Sequence, residues 1–166
     1  LRAKPRNAEP QFGVFDLGEA LREAATLVAG ALDTMGVTLE TTGLDAPLAV
    51  HGDRVQLQQV AVNLLMNGAE SMASLPPGPR PLSMACVHDD EHVRIVVEDA
   101  GPGVVLGAAE HLLKPLFTTK SNGMGMGLAI CKSILDAHGG TLELRQREPT
   151  GMRAVFSLPR PGPGHR

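Results

Sequence analysis

The chain has 166 residues, 43% of them hydrophobic, which suits one ordinary core and one domain. A net charge of −3, no tryptophan, no tyrosine and only four phenylalanines provide neither a basic field nor stacking platforms, so nucleic acid is not an expected partner. Cys86 and Cys131 stand far apart in no metal or disulfide spacing, and no apolar run approaches the roughly 18 to 20 residues of a membrane span, which points to a reducing, cytoplasmic setting without membrane contact.

The lead, LRAKPRNAEPQ, lacks the apolar core of a signal peptide and begins without methionine, so the chain reads as a piece of something longer. FGVF is a short strand, and Asp16 with Glu19 marks the start of a helix through LGEALREAATLVAGAL. VTLETT is a second strand. Asp53 then opens the longest helical pattern, RVQLQQVAVNLLMNGAESMAS, which stops at the turn-rich PPGPRP. LSMACVHDD and EHVRIVVED alternate around an acidic turn, as a hairpin does, and AGPGV breaks the pattern. A second apolar helix is expected from about Gly127 to His138, ended by Gly139 and Gly140. TLELRQ and MRAVFSL form a closing hairpin, and residues 160–166 read as a disordered tail. Leu142 and Leu144 alternate with Glu143 and Arg145, so the sheet has one wet face, and the helices cover the other. The expected architecture is a two-layer α/β sandwich.

On the long helix, Gln56, Gln59, Asn63, Asn67, Glu70 and Ser74 fall in one polar strip. A solvated face is one reading. Amides one turn apart that serve a hydrated magnesium ion or phosphate are the other, because asparagine is a weak helix former. Asp99 keeps the parity of Val93, Ile95 and Val97 and so points toward the core, where a carboxylate needs donors: either a ligand amine or a backbone turn. Gly123, Gly125 and Gly127 let backbone N–H groups crowd an anion at a helix start, with Lys120 adding positive charge, although a flexible loop would look the same. No P-loop or protein-kinase signature occurs. His88 and His92 flank DDE across an exposed turn and read as a solvated hairpin rather than a metal site, and Met124 and Met126 as packing residues.

The ordered set of NLLMNGAES, DAGPG, KPLFTTK and GMGMGLAI resembles the catalytic ATP-binding domain of bacterial sensor histidine kinases. The likeness is greatest to the nitrogen- and oxygen-sensing type, within the superfamily shared with DNA gyrase and MutL. It covers residues 15–159 and implies the Bergerat ATP-binding fold, an α+β sandwich with a mixed sheet and helices on one face. The domain would then be 13–159, with 1–12 the end of a preceding helical hairpin or a linker. The resemblance implies ATP and Mg2+ as ligands. Asn63 and Asn67 would hold magnesium and phosphates, Asp99 would accept from the adenine amine, and Gly101 and Gly103 would shape the pocket. Lys120, Gly123, Gly125 and Gly127 would surround the phosphates, with Phe117, Thr118, Thr119 and Leu128 completing the contacts. Asn63, Asn67 and Lys120 would thus be the catalytic set.

Departures from the pattern are Gly68, where alanine is usual, and Leu116 in place of an aromatic. Asn63 stands where hydrolysing relatives carry a glutamate, and an amide cannot take a proton from water, so transfer is favoured over hydrolysis. No acceptor-histidine box occurs; none of His51, His88, His92, His111, His138 and His165 is expected to serve. The implied partners are a dimerisation and phosphoacceptor hairpin outside this chain and a response regulator. An anti-sigma-type serine kinase and a nucleotide-binding regulatory module without transferase activity are the alternatives. Membrane anchorage of a longer protein is left open.

Overall fold

The computed structural model describes residues 9–101, 124–148 and 150–161, with side chains in the helix beginning at 124 described from 127 onward. Strand β1 (Gly13–Asp16) leads directly into helix α1 (Leu17–Thr34) because Asp16 leaves the strand in an extended conformation, and its Oδ1 accepts from Gly18 N at 3.0 Å. The same oxygen takes Leu48 N at 3.0 Å, which ties the helix start to the chain entering β3 (Ala49–Gly52). Leu17, Leu21, Ala24, Val28 and Leu32 form the buried stripe of α1, spaced as an amphipathic helix requires.

β1 and β3 pair antiparallel as a small ribbon apart from the main sheet. β3 was not expected from the sequence: AVHG is four residues long, and only the β1 partner makes its alternating burial a strand. Asp53 then caps α2 (Arg54–Ser71), with Oδ1 accepting from Gln56 N at 3.0 Å. At 18 residues α2 equals α1 in length, and Ser74 lies beyond its end rather than on its polar strip. Arg80 closes both helices from the following loop, donating to Met35 O at 2.7 Å and Leu75 O at 2.9 Å.

The main sheet is five-stranded and mixed, in the order β2–β4–β5–β7–β6. β2 (Thr38–Thr42) runs parallel to β4 (Pro81–His88), while β5 (His92–Asp99), β6 (Thr141–Gln146) and β7 (Met152–Pro159) pair antiparallel. Both hairpins follow the alternation seen in the sequence, and β5 is the central strand. Arg160, placed by the sequence in a tail, is held to the β4–β5 turn through Glu91 O and Asp89 O.

Helix α3 (Met124–Ala137) begins at Met124 rather than Gly127, so Gly125 and Gly127 stand inside its first turns. Glycine's poor helix propensity points the other way, but docking of Leu128, Cys131 and Leu135 into the core carries the helix across these positions. α2 packs between α1 and α3 and lies on β4 and β5, α3 lies on β6, and α1 touches β2. Their shared core runs from Leu17 and Leu57 to Ile95 and Phe156, all buried. The helices therefore form a single layer on one face, the α+β sandwich the sequence pattern indicates.

Candidate functional site

At the end of the central strand Asp99 is 5% exposed, beneath α2. Strand parity aims it inward, and the chain provides donors for it there. Its Oδ1 accepts from Gly101 N at 2.8 Å and from Met152 N at 3.3 Å, while the nearby Ser71 hydroxyl donates to Gly68 O at 2.8 Å. Burial nonetheless holds the carboxyl above its ordinary value; the two backbone donors, Ser71 and the nearby Arg147 charge oppose that shift without cancelling it.

The close approaches around Asp99 require glycine at two positions. A Cβ on Gly101 would stand 2.6 Å from Ser71 Oγ. Gly151 has φ +106°, and a Cβ there would run into the Asp99 carbonyl. Arg147 completes the turn by donating to Asp99 O at 2.7 Å, and its guanidinium stands 3.8 Å from Glu98, which Arg153 also approaches at 3.6 Å.

Asp99 lines an open cleft between α2, α3 and the sheet. Leu64, Val97, Leu128, Leu144, Met152 and Ala154 make it mostly apolar, while Asn67, Ser71 and Asp99 supply its polar atoms. Gly68 lies directly over the carboxylate: a Cβ there would be 3.5 Å from Asp99 Oδ2 and 2.7 Å from the Leu82 side chain. The glycine that departs from the expected alanine thus lets the helix sit low over the base of the cleft.

The Asn67 amide nitrogen is buried and has no hydrogen-bond partner among the described residues. A buried donor left unpaired costs about 1 to 3 kcal/mol, so a polar ligand at this position has an energetic basis. Asn63, one turn earlier, does not line the cleft; its Nδ2 donates to Cys131 Sγ on α3 at 3.7 Å. Leu128 lines the cleft, Gly101 adjoins it only through its hydrogen bond to Asp99, and Gly125 and Gly127 are in the first turns of α3, whose leading N–H groups have no intrahelical acceptor. Gly103, Phe117, Thr118, Thr119, Lys120 and Gly123 lie outside the described residues.

Sequence reasoning missed Ser71, Met152, Gly151 and Arg147. Ser71 continues the Asn63–Asn67 spacing by one more turn and was within reach of the pattern. The other three come from the β6–β7 turn, far along the chain from Asp99, and only the sheet register brings them there. The two histidines at the β4–β5 turn are not part of this site. Arg160 donates to His88 Nδ1 at 3.3 Å, and His92 N is bonded by Asp89. Among the described residues no group of three or more His, Cys, Asp or Glu side chains could hold a metal ion. Nor is any described helix long and apolar enough to cross a membrane.

Residues 52–162 match the sequence family described as histidine kinase-, DNA gyrase B-, and HSP90-like ATPase. The chain is 37% identical over 155 residues to the C4-dicarboxylate transport sensor protein DctS of Rhodobacter capsulatus, covering 93% of this chain and 24% of that protein. The catalytic domain of histidine kinase ThkA, in a nucleotide-free form, superimposes with a TM-score of 0.80 at 29% identity, covering 90% of this chain and 98% of that one. ThkA in complex with the response regulator protein TrrA gives 0.75 at 28% identity, covering 90% of this chain and 42% of that one. The chain spans about a quarter of the length of the curated relatives it matches.

Proposed function

We propose, because the chain belongs to the family of histidine kinase-, DNA gyrase B- and HSP90-like ATPases, that this histidine kinase ATPase domain holds Mg-ATP in the Asp99 cleft and donates the γ-phosphoryl group to a histidine outside the chain. The observation that carries the reading is Asp99 itself. Its Oδ1 is occupied by backbone donors, while the carboxylate lies at the base of an apolar cleft. A carboxylate there accepts from the amine of adenine, and Leu64, Val97, Leu128 and Ala154 suit the flat faces of the base.

The amide strip on α2 fits the phosphate end. Asn67 has a buried donor in want of an acceptor, and the carbonyl oxygens of Asn63 and Asn67 are the hard ligands a largely hydrated magnesium ion takes. When bound, that ion neutralises charge between the terminal phosphates. Lys120, Gly123, Gly125 and Gly127 are assigned to the phosphates, Gly101 and Gly103 to the pocket wall, and Phe117, Thr118 and Thr119 to the cover of the site. No base is needed from this chain: the imidazole nitrogen of the acceptor brings its own lone pair, forms the bond to phosphorus, and the bond to the ADP oxygen breaks. Asn63, an amide, does not activate water, so transfer outpaces hydrolysis.

The catalytic domain is assigned to 13–159, and residues 1–12 to the end of a preceding helical hairpin or a linker. That hairpin supplies the acceptor, and a response regulator receives the phosphoryl group; ThkA, a similar kinase, has been solved with one. The working compartment is the cytoplasm, where ATP and the regulator meet.

Calorimetry with ADP and ATP, with and without magnesium, tests the reading against Asp99→Asn. The asparagine NH2 would face the adenine amine, donor against donor, with an expected loss of roughly 30-fold in affinity. Nucleotide at about a hundred times its dissociation constant should raise stability by roughly 2.7 kcal/mol. A wild-type chain that binds no adenine nucleotide, or a variant that binds as well as wild type, refutes it.

A further inference from the structure

We infer that Cys131 is a positioning residue for the Asn63 amide, holding its nitrogen against α3 so that its carbonyl oxygen is the end left available to a cation. The inference rests on the magnesium role proposed above for Asn63, and it concerns a residue that role does not include.

A side-chain amide is nearly symmetric in shape but not in chemistry. Rotation by half a turn about its last bond exchanges an oxygen that binds hard cations for an NH2 that repels them. An asparagine that serves a metal therefore needs something to select between the two orientations, and a neighbouring group that only accepts makes that choice. On this chain the selector is a thiol. Cys131 lies on α3, 0% exposed, and its Sγ is 3.7 Å from Asn63 Nδ2.

The thiol is a selector because its own proton is already directed elsewhere. Cys131 Sγ donates toward Val60 O on α2, at 4.0 Å, so the sulfur presents a lone pair to Asn63 rather than a hydrogen. The reversed amide would set Oδ1 against that lone pair, acceptor against acceptor. The two contacts also join α3 to α2 one helical turn from Leu128 and from Asn67, both of which line the cleft. Cys86, the other free thiol, is buried in β4.

The test measures ADP affinity by calorimetry with and without Mg2+ and takes the ratio as the metal coupling, for wild type, Asn63→Ala, Cys131→Val and Cys131→Ser. Valine keeps an apolar filling but offers no lone pair. Serine keeps both a donor and an acceptor. The expected result is roughly tenfold weaker metal coupling in Cys131→Val, unchanged metal-free ADP affinity, and recovery in Cys131→Ser. If Asn63→Ala loses the coupling while Cys131→Val retains it, the thiol merely packs and the inference is overturned alone. If Asn63→Ala retains the coupling, or wild type shows none, the metal role of Asn63 falls and the inference falls with it. The Asn63 side-chain NH2 resonance in the wild-type chain needs no variant to fold: one slowly exchanging proton supports the contact, and a rapidly exchanging pair overturns it.

Discussion

Replacing His138 with alanine should unfasten the point where three parts of the chain meet. The ring follows the C-terminus of α3, with Nδ1 donating to Ile134 O at 2.7 Å and Nε2 accepting from Asp53 N at 3.0 Å. This pairing fixes the tautomer with its proton on Nδ1. Asp53 in turn caps α2 and takes Gln11 N at 2.7 Å, while the Phe12 ring stacks on His138 at 4.5 Å between centroids. Gly52 makes room for the ring, since a Cβ there would be 2.6 Å from His138 Cδ2.

Loss of the imidazole leaves Asp53 N–H buried without its acceptor, at about 1 to 3 kcal/mol. The Phe12 stack is worth about 0.5 to 1.5 kcal/mol and the Ile134 bond about 1 kcal/mol. With water recovering part of the polar loss, the expected destabilisation is about 3 kcal/mol. For a domain of this size that corresponds to a fall of about 6 to 12 °C in Tm. Urea denaturation and thermal melting measure it. His138→Gln, which can place Oε1 where Nε2 was, should lose about half as much, and hydrogen exchange at Asp53 N should quicken most in the alanine variant. A loss below about 1 kcal/mol in His138→Ala would refute the assignment of the ring as a shared fastening.

Gly151→Ala should destabilise by about 2 kcal/mol or more in urea melts, because positive φ and the Asp99 carbonyl both oppose a side chain there. Gly68→Ala should be mildly stabilising, by about 0.5 kcal/mol, since a helix-propensity gain of about 1 kcal/mol exceeds the shift asked of the Leu82 methyl, and calorimetry should show weaker nucleotide binding as the cleft floor rises. For Asp99, burial raises the folded carboxyl above its ordinary 3.8, so the stability it contributes is full below that value and is lost as pH rises through the folded one. Asp99→Asn should therefore gain on wild type in paired urea melts as pH rises above 3.8, and a difference that stays flat with pH would refute the burial argument.

Much of this fold was legible because its signals are local. The stripe of α1, the Asp16 and Asp53 caps and the two antiparallel hairpins each lie within a single stretch of chain. Asp99 was legible for the same reason, since strand parity alone aims it inward. What could not be read depends on pairings distant in sequence. β3 is a strand only beside β1, and Met152 reaches Asp99 only through the β5–β7 register. Asn63 shows the limit of reasoning by angle: it shares a strip with Asn67, yet α3 engages its nitrogen, which no helical wheel of α2 contains.

The parallel pairing of β2 with β4 has a consequence for connectivity. Parallel neighbours cannot be joined by a tight turn, so the chain must travel back along the sheet between them, and α2 lies within that return. The helix that bears the amides is thus part of a connection the sheet itself demands, and it comes to lie on β4 and β5, over the strand that carries Asp99.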